Sequence, residues 1–136
     1  MPKLVFFYGT LMTPFNRIGR LRMDRHLVFR GRGTITAALF DLGIYPAAVP
    51  DPDGQVWGEV YEMTHPVVVL RALDELEGYR PTEPDVSLYT RRLTPVTMEV
   101  GSVVYASAYF YNAPLGRAER IPSGDYLEHL GFAEAR

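Results

Sequence analysis

The sequence of 136 residues contains no cysteine. Disulfide bonds, thiolate metal sites and a cysteine nucleophile are therefore excluded. No apolar run reaches the roughly 18 residues of a membrane-spanning helix, and Pro2 and Lys3 lead directly into an apolar stretch, unlike a signal peptide. We therefore expect no membrane association and take the cytoplasm as the default location.

Lysine is almost missing as well, since Lys3 is the only one and arginine supplies the remaining cationic charge. The formal net charge of −2 argues against nonspecific binding of nucleic acid, so no nucleic-acid partner is expected. Six arginines nevertheless crowd one short segment, where only Asp24 opposes them: Arg17, Arg20, Arg22, Arg25, Arg30 and Arg32. This arginine cluster leaves a weaker hypothesis open, the binding of a nucleic acid or an acidic partner.

Histidine is scarce, and His26, His65 and His129 stand far apart without the spacing of metal ligands. No metal site is expected from them. The sequence also lacks a phosphate-binding glycine loop, a Gly-x-Ser-x-Gly elbow and a His-Glu-x-x-His helix. The common signatures of nucleotide binding, serine hydrolysis and zinc proteolysis are thus absent.

The length and hydrophobic patterning indicate one domain over residues 1–136. Runs of apolar, β-branched and aromatic residues predict strands over residues 4–8, 28–39, 55–63, 89–99 and 103–111. Prolines argue against a central strand over residues 45–53. Because helices are few and do not alternate with strands, we predict a small mixed or antiparallel barrel-like α+β domain.

Two segments carry a helical pattern. The segment 13–27 has apolar residues near helical spacing, which predicts one short helix. The segment 67–77 is the stronger prediction, with Thr64 as the expected N-cap, Pro66 in the first turn and Gly78 just past the end.

The first strand stops at Gly9, where a turn and a close approach of another group become possible because glycine has no Cβ. Beyond the strand, the N–H groups of Gly9, Thr10 and Leu11 could point together at an anionic oxygen. The alternative is a strand that simply ends at a glycine turn.

Asp74 and Glu77 lie three residues apart and therefore share one side of the predicted helix. A carboxylate at a helix C-terminus faces the negative end of the dipole, so stability alone does not favour Glu77. Beside Leu73 and Leu76, desolvation would raise the pKa of Glu77 towards the range of a general base. The alternative is a solvated surface glutamate.

Five short motifs occur in order along the chain: Tyr8-Gly9-Thr10-Leu11, Tyr45-Pro46-Ala47, Leu73-Asp74-Glu75-Leu76-Glu77-Gly78-Tyr79, Tyr89-x-Arg91-Arg92 and Gly124-Asp125-Tyr126. With these motifs the sequence resembles the gamma-glutamylcyclotransferase-like family, also called AIG2-like, from Val5 to Tyr126. The resemblance implies an α+β fold, a small mixed β-barrel flanked by short helices, with the Tyr8–Leu11 loop lining a central cavity.

The resemblance also implies a set of site residues. Glu77 takes the position of the catalytic acid/base, and the substrate-binding positions are Tyr8, Gly9, Thr10, Leu11, Tyr45, Pro46, Tyr89 and Tyr109. The choice between Tyr109 and Tyr111 stays open, because both lie on one face of a predicted strand. Arg91 or Arg92 is expected to pair with an acidic neighbour.

The implied reaction releases 5-oxoproline from a γ-glutamyl amino acid or amine by intramolecular aminolysis, with Glu77 as the proton carrier. No cofactor is implied, because nucleophile and electrophile belong to one small-molecule substrate. The competing hypothesis is a non-catalytic protein of the same fold that binds a small ligand. The sequence makes no prediction of the oligomeric state.

Overall fold

Eight strands and three short α-helices make up the computed structural model, which describes residues 3–132. The strands are β1 (Leu4–Phe7), β2 (Leu27–Ile35), β3 (Ala37–Asp41), β4 (Pro46–Pro50), β5 (Val56–Met63), β6 (Tyr89–Met98), β7 (Val103–Tyr111) and β8 (Glu119–Arg120). The helices are α1 (Arg17–Arg20), α2 (Pro66–Leu76) and α3 (Tyr126–His129). Pro2, placed before the first strand in the sequence analysis, lies outside the described residues.

Five of the strands close into a barrel in the order β1-β5-β2-β6-β7. Neighbouring strands are antiparallel except at the closure, where β1 runs parallel to β7 with Val5 opposite Ser107. The prediction of a small mixed barrel with short helices is confirmed. Gly58 permits the close approach of β5 to β1, because a Cβ there would lie 2.4 Å from the Phe7 carbonyl oxygen and 2.5 Å from the Phe6 ring.

A second sheet of three strands, in the order β4-β3-β8, was not predicted. The single strand predicted over residues 28–39 is wrong, since the chain bends at Thr36 and divides into β2 and β3. The bend is needed because β2 pairs within the barrel, whereas β3 pairs with β4 and β8. Strand β4 is an edge of this sheet, the position in which its prolines are tolerated.

The single helix expected in residues 13–27 is also wrong. The segment forms a 3-10 turn at Thr13–Phe15, helix α1, and a second 3-10 turn at Asp24–His26. Asn16 and Arg22 interrupt it, because their positive φ angles of 52° and 60° are incompatible with a continuous right-handed helix.

Helix α2 agrees with its predicted location but not with its predicted cap. His65 occupies the N-cap position without a side-chain capping hydrogen bond, and the Thr64 hydroxyl instead lies 3.2 Å from Nδ1 of His65. At the other end Gly78 has a φ of 64°, and the Tyr79 N–H donates to the Asp74 carbonyl. None of the helices within residues 3–132 has the length and hydropathy needed to cross a membrane.

Candidate active site

A cavity of about 120 Å³ lies where the end of β1, the C-terminus of α2 and strands β4 and β7 meet. All the site residues expected from the sequence line it: Tyr8, Gly9, Thr10, Leu11, Tyr45, Pro46, Glu77, Tyr89 and Tyr109. The fold thus brings together residues as distant in the chain as Tyr8 and Tyr109, which are 101 positions apart. The remaining lining residues are Phe6, Phe7, Arg17, Leu76 and Leu88.

Glu77 is the acidic residue of the cavity lining and caps the C-terminus of α2. Its side chain is largely withdrawn from water, and this desolvation raises the pKa of Glu77 to about 7, with the Arg17 guanidinium acting in the opposite direction. Within residues 3–132 no group donates a side-chain hydrogen bond to the Glu77 carboxylate. The Glu77 oxygens therefore remain available to a ligand, at a pKa suited to moving protons near neutrality.

The loop after β1 lines the same cavity with Gly9, Thr10 and Leu11. The Met12 N–H donates to the Gly9 carbonyl and closes the loop as a turn. Among the hydrogen bonds of the described chain, none uses the N–H groups of Gly9, Thr10 or Leu11. Gly9 also lies close to Pro46, since a Cβ at position 9 would be 3.0 Å from Pro46 Cγ.

Glu59, which the sequence analysis missed, anchors the far end of this loop from β5. It is 5% exposed, and its Oε1 accepts hydrogen bonds from the Thr13 N–H (2.7 Å), the Thr13 hydroxyl (2.9 Å) and the Tyr61 hydroxyl (3.0 Å). Side chains alternate along β5, so Glu59 and Val60 lie on opposite faces of the strand. The sequence pattern therefore gives no sign that Glu59 is buried.

Two tyrosines tie the cavity walls together. The Tyr8 hydroxyl donates to the Tyr109 carbonyl (2.6 Å) and accepts from the Ala48 N–H, while the Tyr89 hydroxyl donates to the Pro46 carbonyl (3.1 Å). Burial raises the pKa of both phenols above the ordinary value. At neutral pH they are therefore neutral hydrogen-bonding groups and not bases.

Tyr109 and Tyr111 share a strand face but lie in different surroundings. The Tyr109 hydroxyl reaches Asp74 Oδ1 at 2.6 Å and lines the cavity. Tyr111 is not a lining residue and packs edge-on against Tyr89, with ring centroids 5.2 Å apart. Arg91 donates from Nη1 to both oxygens of Asp74, at 2.8 and 2.7 Å, and so pairs with an acidic neighbour.

Arg17 is the second residue that sequence reasoning missed. It lines the cavity, and its Nη1 donates to the Thr10 hydroxyl at 2.7 Å. Other members of the arginine cluster have different partners: Arg30 pairs with Glu62, and Arg32 lies 3.6 Å from Asp125. The sequence contains no signal that separates Arg17 from its neighbours, because only the three-dimensional course of the chain brings it beside the loop.

Within residues 3–132 no group of three or more histidine, aspartate and glutamate side chains is arranged to hold a metal ion. His26 and His65, distant in sequence, do come together with ring centroids 5.0 Å apart. Neither of them lines the cavity.

The closed mixed barrel with its second sheet and short helices has the fold of solved gamma-glutamyl cyclotransferase and AIG2-like structures. The chain belongs to the family described as gamma-glutamyl cyclotransferase, AIG2-like, whose model matches residues 5–128. A comparison with curated proteins finds no match.

Solved structures agree with this family. An AIG2-like protein from Mus musculus is 25% identical with a TM-score of 0.68, over 92% of this chain and 88% of that one. Protein ytfP from Escherichia coli is 30% identical with a TM-score of 0.65, over 93% and 97%. YkqA from Bacillus subtilis is 25% identical with a TM-score of 0.71 over all of this chain, which spans only 44% of YkqA.

Proposed function

We propose that this protein releases 5-oxoproline from a γ-glutamyl amino acid or γ-glutamyl amine by intramolecular aminolysis. One observation carries the proposal: Glu77, whose pKa burial raises to about 7, shares a cavity with the Gly9–Leu11 loop, whose N–H groups have no hydrogen-bond partner within residues 3–132. An acid/base group and oxyanion donors in one site are what acyl transfer to an amine requires.

In the proposed reaction the Glu77 carboxylate takes a proton from the α-ammonium group of the substrate. The freed amine attacks the γ-carbonyl carbon, so that a new C–N bond closes the five-membered ring. The N–H groups of Gly9, Thr10 and Leu11 stabilise the negative charge that develops on the carbonyl oxygen. When the tetrahedral intermediate collapses, the original amide C–N bond breaks, and the departing nitrogen receives the proton from Glu77. The carboxylate restored in this way takes the second proton of the ring nitrogen and passes it to the released amine, which leaves as an ammonium ion.

The value of the Glu77 pKa matters for both proton transfers. A carboxylate with an ordinary pKa is a weak base at neutral pH, whereas one with a pKa of about 7 both accepts and returns a proton. Tyr45, Pro46 and Leu88 form part of the cavity wall beside the reacting groups. We propose no cofactor, because both reacting groups belong to the substrate and binding supplies their proximity.

The experiment is to incubate the protein with a panel of γ-glutamyl amino acids and γ-glutamyl amines and to measure 5-oxoproline by chromatography. Release from at least one compound, in proportion to enzyme concentration, is the expected result. The same compounds are tested for a rise in melting temperature. A rise without any 5-oxoproline would contradict the proposal and would identify a ligand-binding protein of the same fold.

A further inference from the structure

Among the described residues, Arg17 is the only Arg or Lys that lines the cavity. Its side chain is half-buried, and the Thr10 hydroxyl accepts its one side-chain hydrogen bond within residues 3–132. A guanidinium carries five N–H donors, so most of them remain available to a bound molecule.

The charge of Arg17 is also left without a carboxylate partner. Arg30 and Arg91 each form an ion pair with an acidic side chain, whereas Arg17 forms none among the described residues. Glu77 lies near enough for the guanidinium to lower the pKa of its carboxyl, but burial dominates and Glu77 is not hydrogen-bonded to Arg17. The guanidinium of Arg17 therefore has free donors and no ion-pair partner among the described residues, which favours an anionic ligand beside it.

A γ-glutamyl group carries such an anion, its α-carboxylate. Its α-ammonium and α-carboxylate groups are attached to one carbon atom, so the protein groups that bind them must be neighbours. Arg17 and Glu77 both line the same cavity of about 120 Å³, which is small enough to bring one substrate within reach of both.

We propose that Arg17 binds the α-carboxylate of the substrate and thereby selects γ-glutamyl compounds over analogues without that carboxylate. The inference rests on the proposed function of the cavity and deepens it. Thr10 positions the guanidinium through its hydroxyl. With the α-carboxylate held by Arg17, the loop N–H groups are left for the γ-carbonyl oxygen.

The test is the binding of 5-oxoproline and of its carboxamide, measured by calorimetry on the wild type and on Arg17→Met. The wild type is expected to bind the acid about tenfold to one hundredfold more tightly than the amide, the range of a charge-assisted hydrogen bond. Arg17→Met should lose this preference while binding the amide as the wild type does. Arg17→Lys, which keeps the charge but not the forked geometry, should retain part of it.

Arg20→Met is the matched control, because Arg20 lies on the same helix, is exposed and does not line the cavity. It should keep the full preference for the acid, and thermal melting should show each variant folded. Equal weakening of acid and amide in Arg17→Met, or an acid preference that survives in it, would overturn the proposal, as would a wild type without any preference.

This binding measurement does not depend on turnover. A wild type that prefers the acid through Arg17 but releases no 5-oxoproline from any γ-glutamyl compound would defeat the proposed function. It would leave the assignment of Arg17 standing. A failure of the proposed reaction and a failure of the Arg17 assignment therefore give different results.

Discussion

The Tyr109 hydroxyl donates a hydrogen bond of 2.6 Å to Oδ1 of Asp74 and so joins β7 to α2. Arg91, from β6, binds the same carboxylate through Nη1. Asp74 lies three residues before Glu77, within the last turn of the helix. This cluster therefore holds the end of α2, and with it the carboxylate of Glu77, against the barrel.

Removing Asp74 should cost more stability than removing the Tyr109 hydroxyl. Tyr109→Phe leaves Asp74 paired with Arg91 and should lower the free energy of unfolding by about 1 kcal/mol. Asp74→Ala leaves Arg91 partly buried without its partner and should cost about 2 kcal/mol or more. Urea unfolding measures both, with the exposed Glu75→Ala as a control of near-zero effect. Equal losses in the two variants would mean that the Arg91 pair contributes nothing.

The raised pKa of Glu77 predicts a pH dependence of stability. Because burial raises this pKa from 4.5 to about 7, the folded protein holds the proton more tightly than the unfolded chain. The free energy of unfolding should therefore fall as the pH rises from 4.5 towards 7, by up to about 3 kcal/mol from this one group.

Glu77→Gln has no such titration and isolates the effect. Its unfolding free energy should match that of the wild type near pH 4.5 and exceed it at about pH 8. Urea unfolding of both proteins across this pH range gives the difference between their free energies of unfolding. The contributions of the other titrating groups cancel in this difference. A difference independent of pH would mean that Glu77 is an ordinary solvated carboxylate.

The close approach of Gly9 to Pro46 predicts an effect on activity. In Gly9→Ala the new Cβ would lie 3.0 Å from Pro46 Cγ and 3.1 Å from Cδ, so the loop or the wall must shift by a few tenths of an ångström. Release of 5-oxoproline should fall about tenfold or more, since catalysis is sensitive to small displacements. Gly19→Ala, outside the cavity, should keep full activity. An active Gly9→Ala would show that the loop geometry is not critical.

The family resemblance supplied the site residues, and local chemistry made two of them, Gly9 and Glu77, candidates in their own right. Gly9 ends an apolar strand, and Glu77 stands where the helix dipole disfavours a carboxylate, so that each had a functional interpretation beside an ordinary structural one. The structure places both at one cavity. The barrel was likewise predictable, because its strands each carry a recognisable apolar pattern.

Features that depend on distant parts of the chain were not predictable. Arg17 reaches the cavity only because Asn16, in the left-handed conformation, redirects the chain after the loop. Glu59 is buried only because the segment around Thr13 covers its face of β5. The bend at Thr36 creates a second sheet without any glycine or proline to mark it.

The most direct test of the account compares 5-oxoproline release by the wild type, Glu77→Gln and the control Glu75→Gln. Glu77→Gln removes the proton carrier but keeps the shape of the side chain, so activity should fall by about a hundredfold or more. A γ-glutamyl compound should still raise its melting temperature, and Glu75→Gln should remain fully active. A Glu77→Gln variant that releases 5-oxoproline within about twofold of the wild-type rate would contradict the role of Glu77 as acid/base.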